Sequence, residues 1–202
     1  MMPMKYSNTD RYLDPDTGVL KNKLGIRDST VLEQREADYA AARSYELALQ
    51  PIKGNFDLAH LCAIHRHLFG DVYAWAGELR DVDIAKDDSF FAHHTYLEAA
   101  AHSLFAQLAR ENHLVGLDPP AFSARVAYYL SEINALHPFR DGNGRAQREF
   151  ISHLAYENGY FIDWSSISKA DLVRASVESF RTGDSSLLAD LIRANLCKRL
   201  KA

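Results

Sequence analysis

The residues best suited to chemistry lie in one short stretch, residues 137–148, with the sequence HPFRDGNGRAQR. The stretch combines a histidine, a carboxylate, an amide between two glycines, and two arginines one helical turn apart. These are His137, Asp141, Gly142, Asn143, Gly144, Arg145 and Arg148. Apolar residues at helical spacing precede and follow the stretch, so we predict a loop that leads into a core helix.

The residue types in this stretch suit a bound polyphosphate. The start of a helix has unpaired N–H groups and the positive end of the helix dipole, and glycines let backbone approach a phosphate. Arg145 and Arg148 can point from one helical face toward the same anion. Asp141 can hold Mg²⁺, and His137 can take a proton near neutral pH. Together these groups predict a phosphate-transfer site that binds a nucleoside triphosphate.

The stretch resembles the Fic motif (filamentation induced by cAMP), His-Pro-Phe-x-Asp/Glu-Gly-Asn-Gly-Arg-x-x-Arg, and matches it at every fixed position. Residues 64–69 and 73–80 also resemble the family, and the similarity extends over about residues 24–192. A match this long is far more specific than an isolated Gly-x-Gly. The resemblance implies a Fic-type helical domain that transfers AMP from ATP to a hydroxyl group of a protein, with Mg²⁺ or Mn²⁺.

The resemblance also implies a role for each residue of the motif. His137 accepts the proton of an incoming Tyr, Thr or Ser hydroxyl, which attacks the α-phosphate of ATP, and pyrophosphate leaves. Asp141 holds the metal ion across the α- and β-phosphates. Phe139 is expected to be a core anchor that fixes the loop.

The remaining groups of the motif are expected to bind phosphate. The backbone around Gly142 and Gly144, with the Asn143 amide, holds the α-phosphate oxygens. Arg145 and Arg148 take the β- and γ-phosphates.

Two interpretations of individual positions bear on this assignment. For Arg148 the alternative is a surface ion pair with Glu149 or Glu157. The death-on-curing (Doc) branch of the family, which phosphorylates its target, has lysine where this chain has Gly144, so Gly144 favours AMP transfer.

The sequence pattern changes between residues 80 and 94, where the helical period fails. Val82 and Ile84 alternate with aspartates before a turn-like sequence, which predicts a short β-hairpin lying on the helical body. The resemblance places the family's flap here, and there it clamps a target protein by strand addition. A connector hairpin with no partner is the alternative. Lys86 and Asp87 are the flap residues predicted to contact the nucleotide.

The fold class is predicted as all-α with this one small hairpin. We expect a single Fic-type domain over residues 1–202, with an N-terminal arm at 1–27. Helices are predicted to start at caps, and the last one is expected to include Leu196. The cap positions are Asp28 or Ser29, Asp57, Asp118 and Ser168, and Thr95 is expected to start the third long helix.

An inhibitory helix with the sequence Ser/Thr-x-x-x-Glu-Gly/Asn is present in many Fic proteins. The near match here is residues 29–33, but Gln34 follows where the pattern has Gly or Asn. We therefore expect no internal inhibitor. The chain resembles the toxin class that a separate small antitoxin carrying that helix inhibits. That class implies, by analogy, the ATPase subunits of the type II topoisomerases DNA gyrase and topoisomerase IV as targets.

Composition limits the other functions. The chain has 202 residues, 47% of them hydrophobic, and a net charge of −4, which argues against a general nucleic-acid-binding surface. No apolar run approaches the roughly 18 residues of a membrane helix, and the N-terminus has no signal core, so we expect a cytosolic protein with no membrane partner. Cys62 and Cys197 are predicted to be buried or half-buried thiols in helices.

The other histidines do not indicate a metal site, and the sequence leaves two functions open besides AMP transfer. His65 and His67 are two positions apart on a helix and point apart, so a metal pair is discounted. His93 and His94 are predicted to be solvated. Two further hypotheses are a related transferase that moves another phosphate-bearing group, and a non-catalytic nucleotide-binding interaction module. The second needs neither a base nor a metal ligand, so His137 and Asp141 argue against it.

Overall fold

Helices dominate the computed structural model, which describes residues 10–86 and 89–199. Within these residues the helices are α1 (Ser29–Leu49), α2 (Leu58–Phe69), α3 (Leu97–Arg110), α4 (Pro119–Leu136), α5 (Asn143–Glu157), α6 (Lys169–Thr182) and α7 (Ser186–Ala194). The strands are β1 (Ala85–Lys86), β2 (Ser89–Phe90), β3 (Tyr160–Ile162) and β4 (Leu196–Lys198). The prediction of a helical fold with a small hairpin is confirmed.

Side-chain caps start most of the helices where the sequence predicts them. Asp28 accepts from the Val31 N–H, Asp57 from His60, Asp118 from Ala121 and Ser168 from Asp171. Each cap satisfies one of the N–H groups that a helix start leaves without an intrahelical acceptor. One predicted start differs by two residues, because a single 3₁₀ turn, His94–Tyr96, precedes α3.

The core is built around α4 and α5, the two helices that flank the motif. Their inward side chains are fully buried, and they pack with those of α2, α3 and α7 in one continuous cluster that runs from Tyr12 to Ile192. Phe122, Ile133, Phe150 and Ile151 have no solvent exposure. Burying side chains of this size stabilises a fold by roughly 1.5–3 kcal/mol each, so the loop between α4 and α5 is held at both ends.

The C-terminal part of the described chain differs from the prediction. Helix α7 ends at Ala194, and Leu196 lies in β4, which pairs antiparallel with β3 so that Ile162 faces Leu196 and Tyr160 faces Lys198. The prediction that Leu196 and Cys197 are helical is therefore wrong, and Cys197 is exposed. Leu196 fits the helical period of α7, but pairing with β3 satisfies its backbone instead.

The flap hairpin is shorter than the alternating pattern suggested. Strands β1 and β2 pair antiparallel, with Ala85 opposite Phe90, and Val82 lies outside them. The second arm attaches to the helical body, because the Ala92 N–H donates to the Ala135 carbonyl at 3.2 Å. Asp87, one of the predicted nucleotide contacts, lies outside the described residues.

The N-terminal arm, as far as it is described, packs across the domain. A single β-bridge joins Leu13 and Leu20, and Tyr12 and Val19 are buried. Residues 1–9 of the predicted arm lie outside the described part of the chain. Among the residues the structure describes, none of the helices is both long and apolar enough to cross a membrane.

Candidate functional site

The motif forms the loop between α4 and the start of α5. His137 ends α4 in the left-handed conformation, with φ of 48°. Phe139 is completely buried, as predicted for the anchor of the loop. Arg140 is also buried and forms a salt bridge of 2.8 Å with Asp10, which ties the N-terminal arm to the loop. The loop is therefore fixed from several sides.

The side chain of Asn143 braces this loop internally. Its Oδ1 accepts from the Phe139 N–H at 2.9 Å, and its Nδ2 donates to the Phe139 carbonyl at 2.7 Å. The buried amide is thus used by the protein itself. The Asn143 side chain, which was predicted to hold an α-phosphate oxygen, is therefore already occupied by hydrogen bonds within the loop. The backbone N–H of Asn143, at the start of the helix, is still available for an anion.

The imidazole of His137 has a defined tautomer. Its Nδ1 lies 3.2 Å from the Asn134 carbonyl, to which only an N–H can donate, so Nε2 carries the lone pair. Among the described residues Nε2 has no hydrogen-bond partner. The ring of Phe91, just after β2, stacks on the imidazole at 3.8 Å and 18°. These contacts orient the histidine and leave one nitrogen free to accept a proton.

The protonation state of His137 fits the same role. Burial lowers its pKa to about 3, the hydrogen bond to Asn134 opposes this, and the charges of Arg80 and Lys86 add to the lowering. The ring is therefore neutral at pH 7, which is the form a general base needs. A polyanion bound nearby would raise this pKa and strengthen the base.

Arg80 holds the backbone around His137. Its guanidinium is buried and donates to the His137 carbonyl at 2.8 Å and to the Leu136 carbonyl at 3.1 Å. It also donates to the carbonyls of Val82 and Ala92, on the two arms of the flap. One side chain therefore joins the end of α4 to both arms of the flap. Residues 73–80 were part of the family resemblance, but no sequence signal gave Arg80 this function.

The start of α5 is open to an anion. Its N-cap is Gly142, with φ of 77° and no side chain to cap the helix, unlike the Asp and Ser caps of α1, α2, α4 and α6. A Cβ at Gly142 would lie 2.4 Å from the ring of Phe69, so only glycine fits here. The N–H groups of Asn143 and Gly144 have no intrahelical acceptor and carry the positive end of the helix dipole.

Arg145, the first motif arginine, is held by a glutamate that the sequence analysis did not identify. Glu36, on α1 and 6% exposed, forms a salt bridge with Arg145 and accepts a hydrogen bond from the Tyr73 hydroxyl. The guanidinium also lies over the Phe69 ring at 4.6 Å. Burial raises the pKa of Glu36, the charge of Asp141 adds to this, and the charge of Arg145 opposes it. A negative and a positive group thus face each other beside the anion site.

Arg148 has a different environment. It forms no hydrogen bond or salt bridge with the described residues, although the charge of Glu149 acts on it. Glu149 instead accepts a hydrogen bond from Ser44, so the predicted alternative of an Arg148–Glu149 surface pair is not formed. Burial and the charge of Arg145 lower the pKa of Arg148. A half-buried guanidinium without a carboxylate partner is suited to an incoming anion.

Asp141 offers oxygen ligands at the same end of α5. Its Oδ1 accepts from the Gly142 N–H at 2.5 Å, while Oδ2 has no hydrogen-bond partner among the described residues. Carboxylate oxygen is the donor that Mg²⁺ prefers, and Mg²⁺ is commonly bound by one or two carboxylates together with substrate phosphates. The donor set therefore fits the metal that was predicted.

His65 braces the site from α2 and is not a metal ligand. Its Nδ1 accepts from the Gly77 N–H at 2.9 Å, so Nε2 carries the hydrogen and donates to the Asp141 carbonyl at 2.9 Å. The ring stacks on Phe139 at 3.8 Å. His67 lies apart and pairs with Glu46. Both ring nitrogens of His65 are therefore occupied by hydrogen bonds within the protein.

The remaining predicted residues lie at the edges of the site. Lys86 is exposed on the flap, close enough for its charge to act on His137. Glu33, the glutamate of the near match to the inhibitory pattern, is exposed on the second turn of α1 and does not pair with Arg148. Within the described residues, the internal glutamate that meets a motif arginine is Glu36.

The sequence of the chain is similar to that of a known protein family and of named enzymes. The model of the Fic/DOC family matches residues 55–155. The protein adenylyltransferase VbhT of Bartonella schoenbuchensis is 54% identical over 95% of this chain, and the chain spans 40% of its length. The probable protein adenylyltransferase Fic of Salmonella typhimurium is 42% identical over 89% of this chain and 88% of its own.

A solved structure shares the fold. The BepC protein of Bartonella tribocorum, a VirB-translocated effector crystallised with AMPPNP, superposes with a TM-score of 0.87. It is 30% identical, and the superposition covers 95% of this chain and 98% of BepC. The BepC structure thus contains an analogue of ATP.

Proposed function

The chain belongs to the Fic/DOC family, and we propose that it is a protein adenylyltransferase that transfers AMP from ATP to a Tyr, Thr or Ser hydroxyl of a target protein. The predicted enzyme class is confirmed by one relative named protein adenylyltransferase at 54% identity and two named probable protein adenylyltransferase at 42% identity. The observation that carries the proposal is the neutral His137 at the end of α4, whose Nε2 has no partner among the described residues, next to the uncapped start of α5 with its two arginines.

His137 acts as the general base. Its Nδ1–H is fixed by the Asn134 carbonyl, and its Nε2 takes the proton of the attacking hydroxyl as the new bond to the α-phosphorus forms. The bond from that phosphorus to the bridging oxygen breaks, and pyrophosphate leaves. Arg80 and the stacked ring of Phe91 keep the imidazole in place, because an error of about 1 Å in such a position can cost roughly a hundredfold in rate.

The start of α5 binds the phosphates. The N–H groups after Gly142 hold the α-phosphate oxygens, on which negative charge grows in the transition state. Arg145 and Arg148 bind the β- and γ-phosphates. Because Arg145 is anchored by Glu36 and Arg148 has no carboxylate partner among the described residues, the two arginines differ in how freely they can follow the nucleotide.

Asp141 holds the Mg²⁺ that accompanies ATP. When bound, the ion neutralises phosphate charge and favours departure of pyrophosphate. Asp141 itself is positioned by its hydrogen bond to the Gly142 N–H and by His65, which holds its backbone carbonyl. The fixed carboxylate supports Mg²⁺, or Mn²⁺, as the metal of the reaction.

The flap binds the target protein. Strands β1 and β2 are only two residues each, and main-chain pairing with a target segment would extend this small sheet. Phe90 at the edge is 80% exposed, and the next residue, Phe91, touches the base. A segment added to the flap would therefore lie close to His137. Lys86 contacts the nucleotide from the flap, and the same role is proposed for Asp87.

The alternatives are weaker on these observations. A non-catalytic nucleotide-binding module needs neither a neutral, oriented imidazole nor the Arg80 contacts that hold it. Gly144 favours AMP transfer over phosphorylation, since the phosphorylating branch has lysine there. A transferase that moves another phosphate-bearing group uses the same anion site, and the test below distinguishes it.

Control by a separate antitoxin completes the proposal. The chain acts as a toxin on type II topoisomerase ATPase subunits in the cytoplasm, where ATP is available. A small partner offers a Ser/Thr-x-x-x-Glu-Gly/Asn helix whose glutamate pairs with Arg148. The support is that Arg148 lacks a carboxylate partner among the described residues and that Glu33 does not reach it. Growth inhibition by the chain alone, relieved by such a partner but not by its Glu→Gly variant, is the expected result.

The experiment that tests the function uses ATP labelled at either the α- or the γ-phosphate. Cell lysate is incubated with the wild-type chain or with the His137→Ala variant. Label from the α-phosphate on a protein band, dependent on His137, is expected. Label from the γ-phosphate alone would indicate phosphorylation. Equal labelling with the His137→Ala variant would show that the proposed site does not catalyse the transfer.

A further inference from the structure

Asp83, His93 and His94 form a cluster at the base of the flap. The His93 Nε2 lies 3.0 Å from the Asp83 Oδ2, and the His94 Nδ1 lies 3.0 Å from the Asp83 Oδ1. One ligand atom from each residue lies within 4.8 Å of the others. Ligand atoms of a tetrahedral zinc ion are about 3.3 Å apart, given bonds of about 2.0–2.1 Å, so small rotations would bring these three around one ion.

We propose that this cluster is a binding site for a divalent transition metal of the Zn²⁺ class and that the bound metal ties together the two arms of the flap. Two imidazoles and one carboxylate suit zinc, whereas Mg²⁺ prefers ligands that are all oxygen. The site is separate from Asp141 and from the motif. It does not depend on the reaction proposed above.

The surroundings of His93 support metal binding. Its Nδ1 lies 2.9 Å from the Thr95 Oγ1 and also accepts from the Thr95 N–H at the longer distance of 3.4 Å. With a metal on Nε2, an Nδ1–H would donate to the nearby Oγ1 and the longer contact would be lost. Histidine ligands of metals usually donate their second ring N–H in this way, which fixes the tautomer and the ring orientation. Asp83 is fixed as well, because its Oδ1 accepts from the His94 backbone N–H at 2.9 Å.

Charge and access are compatible with a cation from solvent. The Asp83 side chain is 53% exposed, that of His93 50% and that of His94 31%. A positive charge that disfavours a bound cation lies nearby, because the Arg80 Nη1 is 3.8 Å from the Asp83 Oδ1. The Arg80 guanidinium also donates to the carbonyls of Val82 and Ala92. The positive charge weakens the site without removing its ligands.

The position in the chain gives the site its effect. Asp83 precedes β1, and His94 follows β2, eleven positions later. A metal held by both would close the base of the hairpin, next to the point where Arg80 joins the same two arms. Metal binding is therefore expected to reduce local opening of the flap.

The test measures zinc binding to the untagged chain by calorimetry, on a Cys197→Ser background because Cys197 is an exposed thiol that could bind zinc itself. One equivalent of Zn²⁺ is expected to bind, with Mg²⁺ unable to displace it. Asp83→Asn and His94→Gln should each weaken binding at least about tenfold, since each removes one of three ligands. The control is His102→Gln, an exposed histidine facing Glu98 on α3, which should leave binding unchanged.

Hydrogen exchange of the flap with and without zinc gives a second measurement. Zinc is expected to slow exchange of residues 84–86 and 89–92 in the parent chain but not in the Asp83→Asn variant. Failure to bind zinc would overturn the proposal. So would binding of equal strength in Asp83→Asn and His94→Gln, or binding that His102→Gln weakens equally.

Discussion

Glu36, on the first helix, forms a salt bridge with Arg145, the first arginine of the motif, across 109 positions of sequence. The carboxylate is nearly buried and also accepts the hydrogen bond of Tyr73. It lies close enough to Asp141 for the charge of Asp141 to act on it. The guanidinium of Arg145 is therefore positioned by Glu36 on α1 as well as by its own helix, α5.

The first prediction tests this pair. Glu36→Gln removes the charge that holds Arg145, so the free energy of unfolding should fall by about 1–3 kcal/mol and the KM for ATP should rise several-fold. Urea denaturation and steady-state kinetics measure the two effects. Glu33→Gln, an exposed position on the same helix, should change stability by no more than about 0.5 kcal/mol. Equal behaviour of the two variants would contradict the positioning role of Glu36.

The second prediction concerns the base. His137→Ala should reduce transfer by roughly a hundred- to ten-thousand-fold while leaving ATP affinity nearly unchanged, because the anion site is made by other groups. Transfer kinetics and a nucleotide-binding titration separate the two quantities. His102→Ala is the matched control. If His137→Ala kept its rate at neutral pH, another group would have to be the base.

The third prediction concerns the metal. Asp141→Asn keeps the size of the side chain but removes its charge, so transfer should be largely lost in Mg²⁺. Wild-type turnover should stop in excess chelator and return when Mg²⁺ or Mn²⁺ is added. Turnover that continued in chelator would show that the carboxylate has another role.

The fourth prediction concerns stability and pH. Burial lowers the pKa of His65 and of His137 to about 3 and that of His153 to about 4, from an ordinary value of 6.5, and it also lowers the pKa of His60. Such groups stabilise the protein fully above pH 6.5, and this contribution is lost as the pH falls from 6.5 toward the folded-state pKa. Stability should therefore drop by about 4 kcal/mol between about pH 7.5 and about pH 5.5, with about equal parts from His65, His137 and His153.

Denaturation at several pH values checks this dependence. His153→Gln should remove about a third of the change with pH, since one of the three histidines with strongly lowered pKa values is gone, whereas the exposed His102→Gln should keep all of it. A stability that stayed constant over this range in the parent chain would mean that the buried histidines are not held neutral.

Sequence patterns predicted the parts of the site that are local. The motif supplies His137, Asp141 and both arginines within twelve residues, and the structure places them around one loop and one helix start. Caps such as Asp118 predicted the helix starts, because capping depends on a side chain and the N–H group three positions later. The phosphate roles of Arg145 and Arg148, and those of Lys86 and Asp87, stay predictions.

Contacts between distant elements could not be predicted. Glu36 lies 109 positions from Arg145, and Arg80 lies 57 positions from His137. In its local sequence each of the two looks like an ordinary surface charge. Strand β4 was missed for a related reason. Leu196 continues the helical period of α7, and only the presence of β3 beside it decides that the backbone pairs as a strand.

The central claim is that this site transfers AMP, and the product on an isolated target tests it most directly. A purified target protein is incubated with the chain, ATP and Mg²⁺, its intact mass is measured, and the released nucleotide products are identified. With the wild-type chain we expect the target to gain the mass of one AMP group on a hydroxyl side chain, with pyrophosphate released, and with the His137→Ala variant we expect no mass increase. A product that carries only phosphate, with ADP released, would contradict it.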